Sequence, residues 1–487
     1  MNAPTVWILI PGAAAVLLFF FRRWQKIVIL VGIILAILLA WLAWRTPIGM
    51  PMTVGSWSFK VLDTLPVLGR QFVLTDADRP LMMVIYLSAA FWFGGSIIVG
   101  AGPMFVPLGF GLLSLLTAAL AVDPFLYAAL LIEMAVLVSI PILCAPGRPL
   151  SRGALRFLTL QTMGMPFILY SGWMLAGVEA NPGNQELIVK VSLLMGMGFI
   201  FLLAIFPFHT WIPMLAEESH PYAAAFVLLI LPVMVAILGL GFLDRYTWLR
   251  STSTLFTLLR LSGVLMVLTG GLWAAFQRHL GRILGYAVMV EIGLSLLAIG
   301  TQGSIPVFFA SLLPRVLGLG VWALALSTVR LYSTDLHFSS IQGLARGLPV
   351  ASAALVIANF SIAGFPILAG FPMRIALLEN LARHDLVGAF LTVIGSIGLF
   401  AGGLRTFAVL ITGTDQDRQS DRREVNPENN VERQTTVKAG EWQITESRAQ
   451  LFFLVIGILL LILVGLFPQW FFPTLANVQQ AFKHLMP

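Results

Sequence analysis

The chain has 487 residues, of which 59% are hydrophobic and only 10% are charged, and its mean hydropathy is +0.93. Soluble domains are about 45–50% apolar and about 25% charged, so this composition excludes a water-soluble protein. The 29 Lys and Arg exceed the 22 Asp and Glu, which gives a net charge of +7. These basic residues lie in short clusters between apolar runs, which favours membrane topology and lipid head groups over nucleic acid as their role.

Apolar runs of about 20 residues recur along nearly the whole chain, and each is long enough to cross a bilayer as a helix. They predict an all-α polytopic membrane protein with about fourteen transmembrane helices. Because the tight basic clusters lie on one side of these helices, both termini are expected outside the cytoplasm. The predicted spans lie near residues 5–21, 27–44, 80–99, 103–121, 124–144, 154–176, 187–212, 222–242, 254–276, 282–300, 304–328, 347–381, 387–412 and 450–473.

Two segments between these spans are too polar to lie in the membrane. Residues 45–79 contain short polar-punctuated runs, which predict a β-hairpin on the outer face. Residues 413–449 mix acidic and basic side chains and predict a solvated, charged loop in the cytoplasm. The single cysteine, Cys144, builds neither a disulfide nor an iron–sulfur site on its own, and no metal-ligand spacing appears. We therefore expect no cofactor and no metal in this chain.

Proline interrupts the seventh predicted span at Pro207 and the twelfth at Pro366. Proline removes an amide donor and clashes with the preceding turn, which frees backbone carbonyl groups at membrane depth. Such backbone persists only where protein or a wet cavity satisfies it. Two discontinuous helices at corresponding places indicate an ion or substrate path, with a kink packed by neighbouring helices as the structural alternative.

Ionisable side chains inside spans are costly and are candidates for function. Glu133 lies mid-span, which suits a carboxyl group that exchanges protons, although a hydrogen bond to a neighbouring helix is the alternative. His209 lies beside the first break and is a candidate proton relay or a cap for the freed carbonyl groups. Glu291 is a candidate relay carboxylate or the partner of a buried arginine. Arg315 and Arg374 keep their protons, so each is expected to supply a fixed positive field or an ion pair.

Several motifs resemble the antiporter-like subunits of respiratory complex I, a family that includes subunits of Mrp antiporters and membrane-bound hydrogenases. The resemblance extends over nearly the whole chain and implies protons moving through two half-channels, each an inverted repeat of five helices. It divides the chain into residues 1–101, a first half over 102–245, a second half over 246–412 and a C-terminal helix and tail over 450–487. The motifs that carry the resemblance are Pro207–Pro213, His220–Pro221, His279–Gly293, Gly343–Pro349 and Gly364–Phe371.

The resemblance also implies roles for particular residues. Glu133 corresponds to the family's fifth-helix glutamate, and Arg374 to the twelfth-helix lysine or glutamate that gates the exit. Arg315 lies near a lysine of the eleventh helix, and Glu291 falls where a tenth-helix histidine is frequent.

Two positions depart from the family pattern, because Leu202 and Met234 stand where the seventh and eighth helices carry lysines. The usual partner of the fifth-helix glutamate is therefore missing.

The leading hypothesis is a subunit of a redox-driven proton-translocating complex of the NADH-quinone oxidoreductase type, with no redox chemistry in this chain. The alternatives are a non-pumping structural subunit and an Mrp-like cation/proton antiporter subunit. We expect the chain in the inner (plasma) membrane, in contact with lipids and with other membrane-arm subunits, and not with nucleic acid. The residues expected to conduct or gate protons are Glu133, His209, Glu291, Arg315 and Arg374.

Overall fold

The computed structural model describes residues 2–54, 57–67, 69–144, 147, 149–181, 184–412, 444–482 and 484–485. Within those residues, ten helices are long and apolar enough to cross a membrane, and three shorter apolar helices accompany them. An all-α membrane bundle is the expected answer to an apolar chain, because a helix satisfies its own backbone hydrogen bonds. The polytopic fold is thus confirmed, and the total of fourteen transmembrane helices stays a prediction.

Among the described residues, six helices precede the first interrupted span. A π-helical segment, Thr5–Leu9, leads directly into the first of them. In chain order they are α1 (Ile10–Phe20), α2 (Gln25–Arg45), α3 (Arg79–Val99), α4 (Phe105–Ala121), α5 (Ala128–Leu143) and α6 (Arg152–Ala180).

The rest of the bundle contains both interrupted spans, which the structure divides into α7 with α8 and α15 with α16. The helices are α7 (Gln185–Leu202), α8 (Trp211–Glu218), α9 (Pro221–Arg245), α10 (Thr247–Arg250), α11 (Ser253–Phe276), α12 (Leu280–Gly300), α13 (Ile305–Ala310), α14 (Leu312–Tyr332), α15 (Pro349–Ala363), α16 (Phe371–His384), α17 (Leu386–Ile411), α18 (Arg448–Leu466) and α19 (Phe472–Ala476).

The centre of the bundle is formed by α9, α12 and α14. The most apolar stretch of α12 is 94% buried, and those of α9 and of the segment that includes α14 are each 89% buried. The corresponding stretches of α7 and α18 are only 28% buried. A polar side chain on α12 or α14 therefore has protein on all sides, whereas α7 and α18 present most of their surface outward.

The segment between α2 and α3 forms two hairpins rather than the single hairpin predicted over residues 45–79. In the first hairpin Pro51 lies opposite Lys60 and Val54 opposite Trp57. A short strand at the end of α4 adds to the second hairpin, with Val122 opposite Phe72. The strands are β1 (Pro51–Val54), β2 (Trp57–Lys60), β3 (Thr64–Val67), β4 (Arg70–Val73) and β5 (Val122–Asp123).

Most of the predicted charged loop, residues 413–443, lies outside the described residues. The end of that segment is not fully solvated, because Glu446 is a buried side chain. Its Oε1 accepts a hydrogen bond of 2.7 Å from the Ala351 amide at the start of α15. The prediction of a solvated loop is therefore wrong for this residue, whose carboxylate satisfies a free amide in the first turn of a helix.

Candidate functional site

Three of the predicted residues meet in one buried cluster, which we call the triad: Glu291 on α12, Arg315 on α14 and Arg374 on α16. The Nε of Arg315 donates to Oε2 of Glu291 at 2.7 Å, and its Nη2 donates to the Glu291 carbonyl oxygen at 3.1 Å. Nη2 of Arg374 lies 3.6 Å from Oε1 of the same carboxylate. The exposed fractions of the three side chains are 11%, 5% and 6%. Of the two roles predicted for Glu291, partner of a buried arginine is the one seen.

Arg374 also joins the triad to α15 and α17. Its Nη1 donates to Oγ of Ser396 on α17 at 2.7 Å, and that hydroxyl donates in turn to the Thr392 carbonyl oxygen at 2.9 Å. Its Nη2 donates to the carbonyl oxygen of Ile362, one residue before the end of α15. A cation at a helix C-terminus complements the negative end of the helix dipole. Arg374 therefore caps α15 while it contacts Glu291.

The interruption between α15 and α16 makes room for this arrangement. Gly364 ends α15 with φ +82°, and Ile367 has φ +75°, a left-handed conformation that is strained for a β-branched residue. A Cβ atom added to Gly364 would collide with Cδ and Nε of Arg374. Both the backbone angle and the space beside Arg374 thus require glycine here.

A small cavity lies directly beside the triad. Its volume is about 40 Å³, counted as the space open to the centre of a water molecule. One water needs roughly 10–15 Å³ on that measure, so a few waters fit. The triad, Ser311, Ser361 and Gly370 are among the residues that line it.

The cavity lies toward one end of the bundle, which we call the Ser304 end. At this end α12 finishes and α13 begins, and Asn380 of α16 donates to Oγ of Ser304 at 3.2 Å. Ala298 and Val307, which also line the cavity, belong to the same end. The triad therefore has space for water on one side and packed protein on the other.

The first interruption, between α7 and α8, is satisfied differently. Ala204 adopts φ +52° before Pro207, and a 3₁₀ turn, Phe208–Thr210, leads into α8. The freed Leu202 carbonyl oxygen accepts a hydrogen bond of 3.0 Å from Nε2 of Gln161 on α6. A neutral amide performs here the capping role that Arg374 performs at the second interruption.

His209 and Glu133 lie apart from the triad. His209 is buried, its ring stacks on Phe206 at 5.4 Å, and its Nδ1 has no hydrogen-bond partner among the described residues. Glu133 accepts a hydrogen bond of 2.7 Å from Oγ1 of Thr162 on α6, and its Oε2 has no partner in the described part of the chain. Among those residues no hydrogen bond or ion pair joins either of them to the triad.

Packed apolar side chains fill the two positions at which the resemblance implies lysine. Leu202 and Met234 are 3% and 4% exposed. Met234 lines an apolar cavity of about 50 Å³ together with Val316, the residue after Arg315 in the chain. Its wall offers two polar side-chain groups, the Ser88 hydroxyl, which donates to the Val84 carbonyl oxygen, and Nε1 of Trp92, which has no partner among the described residues. The space between α9 and α14 is therefore lined almost entirely by apolar side chains.

Sequence reasoning missed four polar side chains around these residues. Thr162 and Ser396 bond to Glu133 and Arg374, Gln161 caps α7, and Ser361 lines the cavity. The available signal was weak, because Ser and Thr within apolar helices commonly bond to their own helix carbonyl groups. Gln161 was the better clue, since an amide side chain inside a span needs a partner. No group of three or more His, Cys, Asp or Glu able to hold a metal occurs among the described residues.

This fold and this cluster define a class: polytopic all-α membrane proteins with two interrupted helices and buried charges. Residues 173–400, which include the triad and both interruptions, match the family model described as "NADH:quinone oxidoreductase/Mrp antiporter, TM". The match covers a little under half of the chain, and that part resembles this family.

Curated relatives carry one name. NADH-quinone oxidoreductase subunit N from Psychrobacter arcticus is 30% identical over 251 residues, which cover 49% of this chain and 51% of that protein. The protein of the same name from Acinetobacter baumannii is 27% identical over 254 residues, 49% of this chain and 50% of its own. The chain thus spans about half the length of the curated relatives it matches.

Solved structures match the whole chain. A chain of the membrane-bound sulfane sulfur reductase, an archaeal respiratory membrane complex, has a TM-score of 0.79 at 16% identity and full coverage of both chains. A chain of respiratory complex I from Thermus thermophilus has a TM-score of 0.71 at 20% identity, covering 99% of this chain and 100% of its own. A chain of the Mrp complex from Dietzia sp. has a TM-score of 0.74 at 15% identity, covering 100% and 99%. At these identities the likeness shows a shared fold.

Proposed function

We propose that the chain is a membrane-arm subunit of a redox-driven proton-translocating complex of the NADH-quinone oxidoreductase type. The name of the curated relatives supports this class of complex. The observation that carries a role in proton movement is the triad: a single carboxylate held between two arginines, beside an interrupted helix and a water-sized cavity.

Glu291 is the proton-carrying group of the triad. Arginine keeps its proton in proteins, so Arg315 and Arg374 supply a fixed positive field around the carboxylate. Protonation of Glu291 weakens its ion pairs with both guanidinium groups, and ionisation restores them. The cavity gives waters, and hence a proton, a way to the carboxylate from the Ser304 end. Glu291 thus works as a gate whose state is set by its own proton.

The orientation follows from the basic clusters in the sequence. With both termini on the non-cytoplasmic side of the inner membrane, the Ser304 end faces away from the cytoplasm. The cavity is then a half-channel that opens to the outer side. Residues 246–412 then form the second of two five-helix halves and 102–245 the first. Other membrane-arm subunits and lipids cover the apolar faces of α7 and α18.

A second candidate function, a structural subunit that carries no protons, is favoured by one observation. The cavity beside Met234 is apolar and holds no charged residue among its described lining, and Leu202 stands where the resemblance implies a titratable amine. In that case the triad serves only to lock α12, α14 and α16 together.

Reconstitution of the complete complex into vesicles tests the proposal. The measurement is redox-driven proton uptake per electron for Glu291→Gln and, separately, for Glu133→Gln. The matched control is Glu379→Gln, because Glu379 is an exposed carboxylate on α16 with a partner one turn away. We expect the Glu291 variant to translocate fewer protons and the control to equal the wild type.

The outcomes separate the two candidates. A fall for Glu291→Gln with normal assembly supports gating at the triad. If proton uptake per electron also falls in the separate Glu133→Gln variant, proton movement is assigned to the first half as well. Normal proton uptake in both variants at normal assembly contradicts the proposal and supports the structural subunit.

A further inference from the structure

The triad holds more positive than negative charge. Two guanidinium groups that keep their protons face one carboxylate, and all three side chains are at least 89% buried. Among the described residues that line the adjoining cavity, Glu291 is the only acid. The cluster therefore has a net charge of at least +1 in a low-dielectric part of the protein, which is unfavourable without a counter-charge.

The cavity wall presents unused hydrogen-bond donors. Arg315 uses Nε and Nη2 on Glu291, which leaves Nη1 without an acceptor among the described residues. Oγ of Ser361 accepts from the Gly370 amide at 3.4 Å, and its own hydrogen has no acceptor in the part of the chain described. Gly370 is also the N-cap of α16, a helix of fourteen residues, so the positive end of the helix dipole adds to the field.

The size of the cavity limits what it holds. About 40 Å³ of space open to water centres admits a monatomic ion with one or two waters. A phosphate group or an organic acid needs more room.

From the excess charge, the free donors and the size, we propose that the cavity beside the triad binds a monovalent inorganic anion of chloride size. The anion sits near Nη1 of Arg315 and the Ser361 hydroxyl and balances the second guanidinium. This site goes beyond the proposed function and does not depend on it, since the charge excess exists whether or not the subunit moves protons.

Glu291 and the anion oppose each other at this site. Loss of the Glu291 charge raises the net charge of the triad to +2 and strengthens anion binding, whereas loss of one guanidinium removes the excess and weakens it. Because coupling between two ligands is reciprocal, a bound anion also favours the neutral form of Glu291.

Bromide replaces chloride and scatters anomalously, so crystals of the purified complex in sodium bromide test the site directly. We expect an anomalous peak within hydrogen-bond distance of Nη1 of Arg315. The absence of any peak in the cavity at saturating bromide overturns the proposal.

Variants test the charge argument in solution. The readout is the halide concentration that gives half of the rise in unfolding temperature, measured in sodium bromide against sodium gluconate at equal ionic strength. Arg374→Gln should weaken halide binding about tenfold or more, because a full charge is lost from a low-dielectric site. Glu291→Gln should tighten it. The control is Arg405→Gln, since Arg405 lies on α17 and donates to the Ala275 carbonyl oxygen away from the cavity.

If the triad binds the halide, Arg374→Gln and Glu291→Gln change the halide affinity in opposite directions. If the triad is merely structural, both variants are less stable in gluconate and respond to halide in the same way. Equal halide responses therefore contradict the proposal. If Arg374→Gln does not fold, Ser361→Ala takes its place and is expected to weaken halide binding while the triad stays intact.

Discussion

The two proposed halves of the bundle solve the same structural problem with different chemistry. Each contains a span interrupted at a proline, and each interruption frees a carbonyl group at the end of a helix. In the first half the neutral amide of Gln161 donates to Leu202. In the second half the charged Arg374 donates to Ile362 and contacts Glu291. An interrupted helix in this fold therefore does not by itself require a charged side chain.

The difference extends to the acidic residues. Glu133 of the first half has one hydroxyl partner and an unpartnered oxygen among the described residues, whereas Glu291 of the second half has two guanidinium groups. Among the described residues, the first half thus buries Glu133 and His209 apart from each other, whereas the second half brings its three buried charges together beside a cavity. The comparison teaches that the same kind of helix interruption is compatible with a neutral cap in one place and a charged cluster in the other.

The largest expected effect comes from removing the two carboxylates in turn. Glu291→Leu leaves two buried guanidinium groups without their carboxylate and should cost about 3–5 kcal/mol of unfolding free energy. Glu133→Leu frees only the Thr162 hydroxyl and should cost about 1 kcal/mol. Chemical unfolding of the detergent-solubilised complex, followed for each variant, measures both. Equal losses would mean that the halves do not differ as described.

A smaller effect is expected from glycines in the two interrupted spans. Gly364→Ala forces a Cβ onto Arg374 at φ +82° and should cost about 1–3 kcal/mol. Gly196→Ala on α7 is the matched control, because a Cβ there meets no atom within 4 Å. The control should be neutral or stabilising by up to about 1 kcal/mol. Thermal unfolding of both variants checks the contrast, and a tolerated Gly364→Ala would show that α15 ends without needing that conformation.

The smallest effect concerns the carboxylates that cap helices outside the membrane-spanning segments. Burial raises the pKa of Glu446 above its ordinary value, against the opposing hydrogen bond from Ala351. The folded state then holds its proton to higher pH than the unfolded chain, so the Glu446 contribution to stability is lost as pH rises through the raised pKa.

We expect Glu446→Gln to flatten this part of the pH dependence and to change stability at neutral pH by less than about 1 kcal/mol. Glu218→Gln is the first-half control, because Glu218 caps α6 through the Gly153 amide at 2.6 Å. Unfolding temperatures from pH 4 to 8 give the measurement. An unchanged pH profile for Glu446→Gln would contradict the assignment.

Much of the framework follows from local rules. Apolar length predicts helices, and Pro207 and Pro366 predict where two of them break, because the missing amide and the ring clash act within one turn. The ion pair of Glu291 is one of the two roles that the sequence predicts for it, because a buried carboxylate needs a counter-charge. These features depend on residues close in the chain or on the high cost of burying charge.

Other features depend on packing between distant segments and are not readable from the sequence. The reach of Arg374 to Ile362, Ser396 and Glu291 requires α15, α16, α17 and α12 to be in place. The second hairpin is completed by β5, which lies about fifty residues beyond β4 in the chain. The separation of Glu133 and His209 from the triad likewise reflects helix placement rather than spacing. Their joint participation in a proton path stays a prediction.

One guanidinium group both ends α15 and holds the Glu291 carboxylate. An engineer who wished to install a releasable amine at position 374 would therefore alter a helix terminus with the same substitution, and any change in conductance would be mixed with a local rearrangement of backbone. A compensating donor aimed at the Ile362 carbonyl oxygen would have to be introduced together with it. Redesign at this position is a two-residue problem.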